Sequence, residues 1–241
     1  MLFKTLTLIE DRNLDGVIFD ADGTLFKSEF YQWLAFSFIL RKLGADFSIE
    51  ENQQRIDSHD YEDFREMLNS KLGNAKVSDL NADDIISMVN RTLKVLFKTR
   101  RSQMLRPEVL ETLQALKCHG FPIGIASSSS RKSLEVKLGS TGISGFFDCI
   151  VCGDEVRYKK PNPEPLCLVA EGLGLPTGQI VVIEDSLNGI KAAKNAGCHG
   201  ICYLDVAEVE RMLRDDHVHD IRNLYDNLYK IQTIIELLLP V

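Results

Sequence analysis

Two hydrophobic periodicities divide the chain. Short apolar runs at 17–19, 122–126, 147–152, 180–183 and 200–203 have strand length. They lack the polar alternation of a half-solvated sheet, so they read as buried parallel strands. Between them the apolar positions recur at helical spacing. Pro107 suits the first turn of a helix through Val109, Leu110, Leu113 and Leu116 to Gly120. Ser127 to Ser130 open a second helix, 165–173 forms a third and 186–195 a fourth. Strands alternating with helices predict a parallel sheet joined by right-handed crossovers. The expected fold is α/β, a Rossmann-like doubly wound sheet.

One long interval breaks the alternation. From 29 to 101 the pattern is helical throughout. Trp33, Leu34, Phe36, Phe38, Ile39, Leu40 and Leu43 predict a broad apolar face closed at Gly44. Phe64, Met67, Leu68 and Leu72 recur at helical spacing and stop at Gly73. Asn81, with Asp84 three residues on, opens a helix bearing Ile85, Ile86, Val89, Leu93, Leu96 and Phe97. The predicted organisation is a core of 1–28 and 102–241 with a helical module, 29–101, inserted in it. Leu224, Leu228, Ile231, Ile235 and Leu238 make the tail amphipathic, and the expectation is that it packs on the core.

Composition narrows the functional classes. A net charge of −7 argues against broad nucleic-acid or membrane-surface binding. The first fourteen residues lack the basic and apolar regions of a secretory leader, and no apolar stretch is long enough to span a bilayer. Six cysteines show no framework spacing; Cys149 and Cys152 match Cys-x-x-Cys, but Ile150 and Val151 between them read as strand. Reduced thiols and a cytoplasmic location are the simplest expectation. No nucleic-acid or membrane partner is expected, and the protein is expected to be a monomer or weak homodimer.

The chemistry gathers where strands end. Asp20 and Asp22 leave the first strand two positions apart, with Gly23 letting the chain turn away at once. Two close carboxylates repel each other and invite a cation. Ser127, Ser128, Ser129 and Ser130 follow the second strand, where hydroxyls and a helix start suit an anion. Lys160 follows the third, in a loop stiffened by Pro161 and Pro163. Glu184 and Asp185 follow the fourth, and buried adjacent acids need a cation or donors. Singly, each reads as a turn, a cap or a solvated side chain; in order they make a set.

That ordered set, Asp20-Ala21-Asp22-Gly23-Thr24, Ser127, Lys160 and Glu184-Asp185, resembles the haloacid dehalogenase-like hydrolase superfamily. Lys160-Pro161-Asn162-Pro163-Glu164 and 182–190 look like the subgroup containing β-phosphoglucomutase and phosphoglycolate-phosphatase-type enzymes. In that subgroup a helical cap is inserted between the first two motifs, where 29–101 lies. The resemblance implies that Asp20 attacks phosphorus and that Asp22 acts as acid and then base. It implies Mg²⁺ held by Asp20, the Asp22 carbonyl and Asp185, with Glu184 as ligand or support. Ser127 and Lys160 would hold phosphoryl oxygens, assisted by Ser128, Thr24 and Asn188. The expected partner is a small phosphorylated metabolite such as a sugar phosphate or phosphoglycolate.

The chain departs from the subgroup pattern at several points. Lys27 precedes Ser28 where Asp-Ser is common, and Gln32 stands where β-phosphoglucomutases carry His. The stretch Arg55 to Asp60 lacks the usual Gly and places His59 near the Arg. These favour a phosphatase over a phosphosugar mutase. A non-enzymatic phosphoacceptor domain is the remaining alternative, and an intact Asp22 opposes it.

Overall fold

The computed structural model describes residues 14–48, 51–52, 55, 61–77, 79–99, 104–106 and 108–202. The chain divides into two compact units, Lys27–Met104 and the residues before and after it.

The flanking unit is built on five strands: β1 (Gly16–Phe19), β2 (Ile123–Ala126), β3 (Cys149–Val151), β4 (Ile180–Glu184) and β5 (His199–Cys202). Their order in the sheet is β3-β2-β1-β4-β5, and every pairing is parallel. The sequence thus predicted the α/β class correctly. Val17, Ile18 and Phe19 are wholly buried, and full burial of each such side chain contributes about 1.5–3 kcal/mol. Strand β3 is shorter than its apolar run suggests, because Ser144–Phe146 coils into a 3₁₀ turn just before it. Strand β5 starts at His199, one residue before its predicted start.

The order reverses between β1 and β4, since the chain runs from β1 outward to β3 and then returns to the far side of β1. In open α/β sheets such a switch point opens a crevice at the carboxyl ends of the strands. The register brings the two ends level: Phe19 pairs with Ile183, and Asp20 N donates to Ile183 O at 2.9 Å.

The insert carries α1 (Ser28–Lys42), α2 (Tyr61–Asn74) and α3 (Ala82–Thr99), and the flanking unit carries α4 (Val109–Cys118), α5 (Arg131–Thr141), α6 (Glu164–Leu173) and α7 (Leu187–Ala196). Ile18, Ile180 and Val182 pack with Leu166, Val169 and Ala170 of α6 and with Ala192 and Ala193 of α7 on one face of the sheet. Right-handed crossovers put α4 and α5 on the other.

Within the insert, Phe36, Phe47 and Phe64 form an aromatic cluster, with Phe36 and Phe64 edge-on at 5.2 Å. Helix α3 begins as its sequence predicts: Asn81 Oδ1 accepts from the N–H groups of Asp83 and Asp84, while Asp84 returns a carboxylate oxygen to Asn81 N. The face of α1 is narrower than predicted. Ala35, Phe36 and Leu40 are buried, but Leu34 is 40% and Phe38 58% exposed. Gly73 does not end α2, which runs to Asn74, because a glycine needing no special conformation is tolerated in a final turn. The amphipathic tail at 224–239, Tyr203, the N-terminal 1–13 and His59 lie outside the described residues.

Candidate active site

Asp20 emerges from the buried end of β1 and meets Lys160 from the loop after β3. Lys160 Nζ donates to Asp20 Oδ1 at 2.7 Å, to Glu184 Oε1 at 2.7 Å and to the Ala126 carbonyl at 2.8 Å. One ammonium therefore ties together the ends of β1, β2 and β4 with its three N–H groups. Its side chain is only 5% exposed. Burial acts to lower its pKa, but attraction to Asp20 and Glu184 outweighs burial and holds it above the ordinary lysine value. The Lys160–Pro161 peptide is cis.

The opposite balance holds at Asp20. Burial pushes its carboxyl up to about 8; Lys160 opposes this, and the charges of Glu184 and Asp22 reinforce it.

Glu184 is wholly enclosed and fully engaged. Its second oxygen accepts from Ser186 N at 2.7 Å and Ser186 Oγ at 2.9 Å. Ser186 also caps α7, its Oγ accepting from Gly189 N at 3.0 Å. A Cβ on Gly189 would stand 1.8 Å from the Glu184 carboxyl carbon, so the glycine leaves room for that carboxylate.

The next acid faces the turn after β1. Asp185 Oδ1 accepts from the buried Thr24 hydroxyl at 2.9 Å. Asp185 also fills the space over Gly23, whose φ of +88° suits glycine and whose missing side chain admits the carboxylate. Arg106 Nε donates to the Gly23 carbonyl at 2.7 Å, fixing the turn from the segment before α4.

The serine run divides its work. Ser127 is buried at the end of β2; its N–H donates to Val151 O at 3.0 Å and its Oγ accepts from Ser129 N at 3.1 Å. Ser128 is exposed. Ser129 Oγ donates to Asp22 Oδ2 at 2.6 Å, and Ser130 caps α5. Arg131, bidentate to Glu155 and bonded to the Ile150 carbonyl, fastens the start of α5 to the region of β3. Asn188 is the second residue of α7 and half-buried.

Of the residues singled out from the sequence, Asp20 and Glu184 each contact Lys160, and Thr24 contacts Asp185. Asp22 instead engages Ser129 and forms an ion pair with Lys137. Sequence reasoning singled out Ser129 within the serine run but not its bond to Asp22, and it missed Lys137 and Arg106. The signal for Lys137 was a lysine on the apolar stripe of α5 beside Leu134 and Leu138; nothing local marked Arg106. Cys149 and Cys152 do not form a reactive pair: burial raises the Cys149 thiol and pushes Cys152 up to about 11. Gln32, in the insert, accepts from Arg55 Nη2 at 2.7 Å, and Arg55 lies over the rings of Phe36 and Phe64. Lys27 is half-buried at the start of α1.

The donor set suits a hard cation. Asp20 and Asp185 present carboxylate oxygens from the ends of paired strands. Among the described residues, no three carboxylate, imidazole or thiolate groups converge as a ready cage. Mg²⁺ does not need one, since it takes one or two carboxylates and completes its shell with water and phosphate. Among the described residues no helix is long and apolar enough to cross a membrane.

A family model for haloacid dehalogenase-like hydrolase matches residues 14–197. The phosphoglycolate phosphatase of Salmonella typhi is 30% identical over 231 residues, covering 87% of this chain and 90% of that protein. A Thermotoga maritima protein designated a beta-phosphoglucomutase superposes with a TM-score of 0.66 at 26% identity, over 80% of this chain and 88% of the other. CbbY from Rhodobacter sphaeroides, in complex with xylulose-(1,5)bisphosphate, gives 0.57 at 27% identity, over 78% and 85% of the two chains. The chain is thus an enzyme, a hydrolase with phosphatases among its relatives, and it belongs to the haloacid dehalogenase-like hydrolase family.

Proposed function

We propose that the protein is a Mg²⁺-dependent phosphatase of a small phosphorylated metabolite, with phosphoglycolate the first substrate to test. The observation that carries this reading is the contact of Asp20 with Lys160, itself anchored by Glu184, at the switch point of the sheet. A carboxylate there is close to a fixed cation and lies at the position where such sheets bind ligands.

In this reading an oxygen of Asp20 attacks phosphorus, and the bond from phosphorus to the substrate oxygen breaks. Asp22 gives its proton to that leaving oxygen. The resulting Asp22 carboxylate then takes a proton from water, whose oxygen attacks phosphorus and releases Asp20 and inorganic phosphate. Lys160 moderates the charge of Asp20, and it meets a phosphoryl oxygen by exchanging one of its three present bonds. The Ser127 hydroxyl and nearby backbone N–H groups receive the remaining phosphoryl charge, with Ser128, Thr24 and Asn188 in support. Asp20, the Asp22 carbonyl and Asp185 would hold the metal, and Glu184 would serve it indirectly by fixing Lys160. Bound there, Mg²⁺ would supply positive charge to offset that of the phosphoryl oxygens. The inserted helical unit would act as the cap that selects the substrate.

A mutase would retain the phosphoryl group for return to the sugar. Gln32 stands where β-phosphoglucomutases carry His, it has no proton to exchange near neutrality, and it is bonded to Arg55. This supports hydrolysis over isomerisation.

The test is phosphate release from phosphoglycolate, phosphosugars and nucleoside monophosphates, with Mg²⁺ and with chelator. Metal-dependent release is the expected result. Conversion of β-glucose 1-phosphate to glucose 6-phosphate with little free phosphate would overturn the phosphatase reading in favour of a mutase. Silence across the panel would overturn the enzymatic reading of this substrate class.

A further inference from the structure

Lys137 lies where α5 calls for an apolar side chain. It shares the buried stripe of that helix with Leu134 and Leu138, and is itself 5% exposed. A buried ammonium is costly unless it is paired. Its partner is Asp22: Lys137 Nζ forms an ion pair with Asp22 Oδ1 and lies 3.3 Å from Ser129 Oγ. Ser129 Oγ in turn donates to Asp22 Oδ2 at 2.6 Å.

Each oxygen of Asp22 therefore has a partner on α5 or on the loop that leads into it. The turn that carries Asp22 is fixed independently, through Arg106 and the Gly23 carbonyl. The Asp22 side chain is 25% exposed, and a carboxylate's direction is set by the donors that its oxygens accept from. The Lys137 ammonium is enclosed and directed at the Asp22 carboxylate.

We infer that Lys137 is a positioning residue for Asp22: directly, and through Ser129, it holds the carboxylate in the orientation from which Asp22 exchanges protons during phosphoryl transfer. The inference rests on the proposed acid–base role of Asp22. Orientation of a proton-transfer group matters because the transfer needs hydrogen-bond reach in the transition state, whereas substrate affinity does not depend on it.

The test compares Lys137→Met, Lys137→Gln, Asp22→Asn and the double variant Asp22→Asn with Lys137→Met, in the full chain with Mg²⁺. Phosphoglycolate and p-nitrophenyl phosphate serve as substrates. Lys137→Met is expected to lower kcat on the order of 10-fold or more while KM moves less than about 3-fold, the pattern of a group that acts on the transition state and not on binding. Lys137→Gln, which keeps an N–H donor for the carboxylate, should fall between parent and Met. The double variant should be no slower than Asp22→Asn alone, since residues acting as a unit are not additive.

A raised KM with kcat kept would make Lys137 a substrate contact and overturn the inference. An unchanged or increased kcat would overturn it too, as would a double variant slower than Asp22→Asn. If Lys137→Met does not fold, Lys137→Gln carries the same outcomes. An inactive Asp22→Asn beside an unaffected Lys137 variant removes this inference alone. An Asp22→Asn enzyme at the parental rate removes the acid–base reading and this inference with it.

Discussion

Lys160 Nζ and Asp20 Oδ1 stand 2.7 Å apart at the buried end of β1, and the same ammonium holds Glu184 at an equal distance. Removing the lysine leaves the enclosed Glu184 carboxylate without its ammonium partner. Breaking a buried ion pair by deleting one partner typically costs about 3–5 kcal/mol. Lys160→Met should lose stability on that order in urea unfolding, along with activity. A midpoint close to that of the parent would mean that another group supplies the missing charge.

Asp20 makes a separate prediction about pH. Burial raises its carboxyl to about 8, above the ordinary value of 3.8. Between those values the folded chain keeps a proton that the unfolded chain has released. The stabilisation is complete below the ordinary value and is lost as pH rises through about 8. Asn at this position has no proton to lose. In chelator, Asp20→Asn should therefore gain stability relative to the parent between pH 5 and pH 8, read as a widening difference in Tm. A difference that stays constant or narrows would show that Asp20 is ionised throughout.

How much of this was legible beforehand depended on the range of the interactions. Parallel strands and their crossovers follow from local apolar runs, and Asp20, Lys160 and Glu184 stood out because each follows such a run. The partnership of Lys137 with Asp22 did not, since it joins positions 115 residues apart through the packing of α5. The exposed Leu34 and Phe38 misled for a related reason: spacing shows which side chains share a face, but not how much of that face a neighbour covers. Arg106 had no signal, because its bond is to a backbone carbonyl that any residue supplies.

Gly189 and Gly139 allow a matched comparison. Glycine inside a helix is usually less favourable than alanine by about 0.8–1.0 kcal/mol. At Gly139 of α5 nothing lies within 4 Å of an added Cβ, so Gly139→Ala should stabilise the protein by about that amount. At Gly189 of α7 the same methyl would collide with the Glu184 carboxylate. Gly189→Ala should instead destabilise the protein and lower kcat, by forcing Glu184 away from Lys160 and Ser186. Stabilisation by both substitutions would show that Glu184 can move aside without consequence for Lys160.

Asp22 has two proposed tasks, and the leaving group separates them. Phosphoglycolate releases an alkoxide-type oxygen that needs a proton as the bond breaks, whereas p-nitrophenolate leaves well without one. The second step, attack of water on phosphorylated Asp20, needs a base whichever substrate was used. Asp22→Asn can perform neither proton transfer, and general acid–base catalysis of this kind contributes roughly 10²–10⁴-fold. With phosphoglycolate the variant should therefore be slow from the first turnover. With p-nitrophenyl phosphate it should release about one equivalent of p-nitrophenol per enzyme in a burst, then turn over slowly as the phosphorylated enzyme waits for water. Rapid mixing followed by acid quench measures both the burst and the protein-bound phosphate. Equal slowing of both substrates from the first turnover, with no burst, would confine Asp22 to binding or to support of the β1 turn, because a base needed only in the second step cannot delay the first.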